Sequence, residues 1–283
     1  MIPAAVHFVT CMIVFSIVER FWPSSAPHRW WRRPLLLDLC SWLIVPVAIG
    51  AGITLAILLT NALMQGEHLS PWLIRLRAVV GDIPLFVQFV VAFIAVDFFS
   101  YWLHRAYHRF PFLWSFHVMH HTSEEVDWLS TLRVHPVSQM IDNALMAALL
   151  LVAGLPPRAV IAANALVGFL AVLTHANVPW TFGLFGRLFV SPVSHHWHHA
   201  RAEAHSGAPM ASAANFGAAL SIWDRIFRTS VEAANQPTRF GADQAPAANL
   251  LSLLLHPLQF CMERLRHRKS EVPRGQRESS ALR

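Results

Sequence analysis

Charge is what this chain has least of. Only 13% of its 283 residues are Asp, Glu, Lys or Arg, against about 25% in a soluble globular chain. With 55% hydrophobic residues, that shortfall excludes an ordinary soluble domain and points to a membrane protein. Cysteine is scarce too. Cys11, Cys40 and Cys261 lie in or beside apolar or helical stretches with no Cys-x-x-Cys pair, which excludes a disulfide framework and any metal site built on thiolates. No glycine-rich nucleotide or flavin motif is present, and no His-Glu-x-x-His supplies the ligands and base of a zinc hydrolase. Acid is the minority sign, leaving a formal charge of +6. The basic residues gather at the ends of apolar segments, where membrane topology explains them and nucleic acid does not.

Histidine is abundant. Eleven of the seventeen fall between His104 and His199, a third of the chain. His104 and His108 are four apart; His117, His120 and His121 follow at i, i+3 and i+4, and His195, His198 and His199 repeat that spacing. On a helix these spacings bring side chains to one face, about 5–6 Å apart at Cβ. A lone histidine usually packs or caps; His7, His28, His68, His256 and His267 lie near ends or loops and are set aside, and His205 is read as solvated in a loop. A repeated His-x-x-His-His is different. Crowded imidazoles repel when charged and waste hydrogen bonds when neutral, so a cation is expected among them. Eight imidazoles exceed the four to six ligands of one ion, which suggests two metals; spacing alone does not choose among iron, zinc, copper and nickel. His175 and then His135 are the next candidate ligands. His196 sits off the ligand face, in a supporting position behind it. Asp97, two turns before His104, and Tyr101 are candidate hydrogen-bond partners for ligating histidines.

The chain is read as all-α, an integral-membrane bundle of about four transmembrane helices with a cytoplasmic histidine-rich di-metal cap. Expected spans are Ile2 to Val18 (an uncleaved helix), Leu35 to Leu63, tilted or kinked by Asp38, Pro46, Gly50 and Gly52, and Val79 to Leu103. Val137 to Val152 and Arg158 to Leu173 form a spanning or re-entrant hairpin around Gly-Leu-Pro-Pro. The Arg20–Arg33 loop, with Arg29, Arg32, Trp30 and Trp31, marks a cytoplasmic side shared with the histidines. Domain boundaries fall at 1–78 (membrane helices and basic loop), 79–230 (catalytic domain), 231–262 (loop and short membrane-face helix) and 263–283 (basic disordered tail).

The motifs Asp-x-x-x-Tyr-x-x-His-Arg-x-x-His from Asp97, Trp-Ser-Phe-His-Val-Met-His-His-Thr, Arg-Val-His-Pro, Thr-His-Ala-Asn, Ser-Pro-x-x-His-His-Trp-His-His and Asn-Phe-Gly before Trp-Asp-Arg-Ile-Phe resemble the fatty acid hydroxylase / sterol desaturase superfamily. That resemblance covers about Asp97 to Thr229. It implies a membrane-bound di-iron oxidoreductase that uses two iron ions and O2 to hydroxylate or desaturate a fatty acyl, sterol or related lipid. The implied ligands are His104, His108, His117, His120, His121, His195, His198 and His199. Phe-Arg-Thr at Phe227–Thr229 departs from the superfamily's Phe-Gly-Thr and is expected to loosen that turn. The lipid is expected to enter from the bilayer beside residues near Phe98 to Trp128. A fused cytochrome b5 would carry His-Pro-Gly-Gly, which is absent. Electrons are therefore expected from a separate cytochrome b5-, ferredoxin- or reductase-like protein. Small size and the lack of a Lys-rich retrieval tail suggest a bacterial inner membrane. The rival readings are a membrane metal-binding or transport protein and a zinc-dependent hydrolase.

Overall fold

The computed structural model of the chain describes residues 2–24, 35–65, 70–201, 214–243, 245–247 and 249–270. Arg29, Trp30, Trp31, Arg32 and Arg33, as well as His28, His68, His205 and the tail beyond 270, lie outside the described residues. Among those described, the fold is all-α, with only two isolated β-bridges. In chain order the α-helices are α1 (Ile2–Phe21), α2 (Leu35–Met64), α3 (Pro71–Asp82), α4 (Leu85–Arg109), α5 (Pro111–His117), α6 (Pro136–Val152), α7 (Pro157–His175), α8 (Pro192–His198), α9 (Ile222–Ile226) and α10 (Leu250–Ser270). Proline opens α3, α5, α6, α7 and α8 at the first turn, where its missing N–H costs nothing.

Three described helices are long and apolar enough to cross a membrane: α2 with 30 residues, α4 with 25 and α7 with 19. α6 is apolar but shorter, about 26 Å for its length against a hydrocarbon core of about 30 Å. The expected spanning hairpin is therefore uneven. The expected span from Val79 is also cut: Pro84 ends α3 and opens α4, because a proline at that point cannot continue the helix. α4 instead runs six residues beyond Leu103, through His104 and His108. α10 continues to Ser270, eight residues past the expected helix end at Met262.

Small residues set the packing. Ala56, Ala92, Ala147, Ala159 and Ala163 are buried in a core with Val96, Leu150 and Leu151 that joins α2, α4, α6 and α7. A Cβ on Gly52 would fall on the Met140 carbonyl, so glycine is what allows α2 and α6 to touch there. Outward-facing Leu36, Leu43, Val47 and Phe86 are 62–75% exposed, a surface suited to lipid.

Candidate metal centre

α4 delivers His104 and His108 from its last two turns, where the apolar span meets the polar end of the bundle. α5 ends on His117, and a 3-10 turn carries His120 and His121. α7 ends on His175, and α8 carries His195 and His198 with His199 at its C-cap. The imidazoles sort into two buried or half-buried sets. His104, His108, His117, His121 and His198 form one; His120, His175, His195 and His199 form the other. Within each set the ligand atoms lie within 4.8 Å of one another. The sets abut: His121 stacks on His199 with ring centroids 4.5 Å apart.

Ring orientation follows from backbone carbonyls. His104 Nδ1 pairs with the Phe216 carbonyl at 2.9 Å, His198 Nδ1 with that of Ala214 at 2.7 Å, and His175 Nδ1 with that of Ala171 at 2.7 Å. Each pairing places the N–H on Nδ1 and turns the Nε2 lone pair inward. Inside, Nε2 atoms meet Nε2 atoms: His175 with His120 and with His195 at 3.1 Å, His199 with His195 at 3.2 Å, and His121 with His198 at 3.1 Å. His175 and His198, whose Nδ1–H groups are donated to carbonyls, enter these contacts as acceptors through Nε2. The buried Nε2 atoms of His104 and His117 have no hydrogen-bond partner among the described residues. A first-row ion with bonds of about 2.1 Å separates neighbouring nitrogens by about 3.0–3.4 Å, so the donor set fits a metal. Burial, reinforced by neighbouring imidazoles, holds His117, His120, His121, His195, His198 and His199 well below the usual histidine range. They are neutral at pH 7, the form that ligates.

Residues 89–229 match the fatty acid hydroxylase family. The chain belongs to that family. It is 26% identical over 234 residues to ornithine lipid hydroxylase OlsE of Rhizobium tropici, covering 79% of this chain and 66% of that protein. It is 31% identical over 151 residues to alkylglycerol monooxygenase of Homo sapiens and 28% over 149 to that of Caenorhabditis elegans. Those matches cover 53% and 51% of this chain but 32% and 27% of the relatives. The chain thus spans just under two thirds of the first relative and about a third of the others. No solved structure matches it.

The matched region of this fatty acid hydroxylase family member contains every imidazole of both sets. His175 joins the second set. His135 joins neither: it caps α6, with Nδ1 accepting from Val137 N and Nε2 against the Leu254 carbonyl. The reason is local, since a residue before Pro136 at N1 is placed to cap. Asp97 hydrogen-bonds no histidine among the described residues. Its buried carboxylate accepts from Ala219 N, Leu220 N and Trp223 Nε1, and so holds the strand of chain after Phe216. Tyr101 pairs with Thr229 Oγ1 at 2.9 Å, again not with a histidine. His196 stands behind the second set, bridging Gln236 and the His175 carbonyl.

Three further contributors lie outside the histidine spacing, although Asn215 and Asp224 stand in the Asn-Phe-Gly and Trp-Asp-Arg-Ile-Phe motifs. Asn215, in the left-handed region at φ 56°, binds Ser194 and Val231 through its amide and thereby sets the carbonyls of Ala214 and Phe216. Asp224 accepts from the N–H groups of Phe216 and Gly217. Glu19 Oε1 accepts from Trp128 N and Asn177 N, tying α1 to segments that follow His121 and His175. The turn at Arg228 is not loosened. Arg228 takes φ 57°, the conformation glycine would favour, and Thr229 N still reaches the Asp224 carbonyl at 2.7 Å. Near Phe98, beside the expected lipid path, the side chains form an aromatic cluster, with Phe98 against Trp223 and Trp102 against Phe227.

Proposed function

We propose that the protein is an integral-membrane di-iron oxygenase that uses O2 to hydroxylate or desaturate a lipid. One observation carries the reading: two abutting, all-nitrogen imidazole sets lie buried or half-buried, with His104, His108 and His175 at the ends of apolar helices. His104, His108, His117, His121 and His198 would hold one ion, and His120, His175, His195 and His199 the other. Redox-active iron bound there would supply the reduction of O2 and the oxidation of an unactivated C–H bond.

The chain's own residues set the conditions for that chemistry. The carbonyls of Phe216, Ala214 and Ala171 orient His104, His198 and His175, and burial of the imidazoles keeps bulk water away. Neither set contains a carboxylate, which leaves a zinc hydrolase without a base. Family membership and the similarity to a lipid hydroxylase and to alkylglycerol monooxygenases support a lipid substrate. In this reading the histidine cap faces the cytoplasm of a bacterial inner membrane, where a separate acidic electron-donor protein docks on a basic surface.

The test is elemental analysis of the detergent-solubilised protein beside a His120→Ala/His198→Ala variant, with mass spectrometry of lipids from expressing cells grown under heavy-isotope O2. About two irons per chain, lost in the variant, and either a wild-type-dependent lipid gaining one heavy oxygen or one losing two hydrogens, are expected. One zinc per chain unchanged by the variant, with no altered lipid, overturns the reading.

A further inference from the structure

α10 carries an apolar face that the described residues leave uncovered. Leu251, Leu255, Leu258, Met262 and Leu265 are 39–67% exposed. They recur four and three residues apart, so at about 100° per residue they share one stripe down the helix. The opposite side does the packing: Leu253 is buried with Leu37 and Met119, Leu250 lies against them, and Pro257 is buried. With Glu263, Arg264 and Arg266 in its C-terminal half, α10 is not among the three described helices apolar enough to cross a membrane. A helix of this kind, apolar along one face and too polar to span, suits a water–hydrocarbon boundary.

Its location and charge fit that boundary. Leu37 lies in the first turn of α2, and Met119 closely follows α5, which itself begins just after α4 ends at Arg109. Both α2 and α4 are apolar enough to span, so α10 starts at the level where two spans reach the histidine end. From Leu258 onward, exposed Gln259, Glu263, Arg264 and Arg266 fill the arc away from the stripe, with the two arginines at its borders. Arg268 and Lys269 continue the basic run in sequence. Cations bordering an apolar face complement an anionic lipid surface. A second copy of the helix fits less well. A self-pairing seam has polar residues along both flanks, whereas half-buried Leu254 and Cys261 widen this stripe on one side. Pro257, inside the helix, also interrupts a straight seam.

We propose that α10 is an in-plane anchor for anionic phospholipid. Its stripe lies in the acyl region of the leaflet at the histidine end, and Arg264 and Arg266 reach the headgroup phosphates. The anchor also steadies the cap. Leu253 packs on Met119, between His117 and His120, and the Leu254 carbonyl meets Nε2 of His135, the residue that caps α6, at 3.2 Å. The proposal stands whichever metal the histidines hold.

The test uses full-length protein in nanodiscs of phosphatidylcholine mixed equally with phosphatidylglycerol. Cys11 is buried; with Cys40 and Cys261 replaced by Ser, a spin label is placed in turn by Leu258→Cys, Leu265→Cys, Gln259→Cys and Glu263→Cys. Labels at 258 and 265 are expected to meet dissolved O2 in preference to an aqueous nickel chelate, and labels at 259 and 263 the reverse. Adding Arg264→Glu and Arg266→Glu should shift the label at 265 towards the nickel chelate by roughly threefold or more. The unsubstituted protein supplies an independent readout, since phosphatidylglycerol with a diazirine in its acyl chain should cross-link the 258–265 segment. Stripe labels as open to nickel as those at 259 and 263, or no cross-link in that segment, overturn the anchor. Stripe labels shielded from both reagents and broadened by a neighbouring label would show a second copy there instead. A charge reversal without effect overturns the recognition of anionic lipid.

Discussion

Asn215 shows how a residue that touches no imidazole shapes the centre. Its left-handed backbone costs most L residues about 1–2 kcal/mol, a cost asparagine bears better than others. Its side chain also makes three hydrogen bonds to the Ser194 carbonyl and Val231 backbone, each worth about 1 kcal/mol. Asn215→Ala should lower stability by about 3 kcal/mol in thermal unfolding. It should also weaken metal binding by roughly tenfold or more, because the carbonyls facing His104 and His198 lose their anchor. An unchanged metal affinity in a folded variant would count against that role. Arg228 is the opposite case. It occupies a left-handed position with a Cβ, so Arg228→Gly should raise stability by roughly 1 kcal/mol. A drop instead would mean that the arginine side chain more than offsets its backbone strain.

At the scale of elements, the imidazole sets are held from outside the family-matched region. Glu19 on α1 accepts two backbone N–H groups through one oxygen, at 3.0 Å from Trp128 and 2.8 Å from Asn177. On α2, Asp38 pairs bidentately with fully buried Arg133 at 2.7 and 2.8 Å, and Trp42 donates to the Leu129 carbonyl. α1 and α2 thus clamp the chain between His121 and His135 against the end of α7. Glu19→Ala leaves two buried donors unpaired, about 1–3 kcal/mol each, whereas Glu19→Gln keeps an acceptor oxygen. The expected result is that Glu19→Ala loses about one of two metals per chain, from the set containing His120 and His175, and that Glu19→Gln retains both. Equal behaviour of the two variants would rule out this positioning role.

For the molecule as a whole, the metal-free form should be acid-sensitive. His117, His120, His121, His195, His198 and His199 have their protonation suppressed by burial, while the unfolded chain protonates them near pH 6.5. Below that value the unfolded state binds more protons, so stability is present above about pH 6.5 and is lost as the pH falls below it. Each such histidine adds a slope of about 1.4 kcal/mol per pH unit. Thermal unfolding of chelator-treated protein at about pH 7.5 and about pH 5.5 checks this; equal midpoints would refute it. Bound metal should flatten the slope until protons displace it.

Much of the centre was legible in the sequence because helix geometry is local. Spacings of three and four residues place imidazoles together whatever the rest of the chain does, and scarce charge with long apolar runs already implies membrane helices. How the imidazoles divide was not legible. In both His-x-x-His-His groups the i and i+4 members share one set, while the i+3 member joins the other: His117 and His121 against His120, and His195 and His199 against His198. The division follows where each ring points, and in the first group the α-helix ends at His117 before the 3-10 turn that carries His120 and His121. It has meaning only once α4, α5, α7 and α8 converge. Asp97, Tyr101 and His135 carry side chains suited to second contacts, yet the folded chain gives them backbone, hydroxyl and capping partners instead. The carbonyls of Ala214 and Phe216 and the reach of Glu19 to Asn177 could not be read beforehand. A backbone oxygen has no sequence signature, and contacts across more than a hundred residues exist only in the tertiary fold.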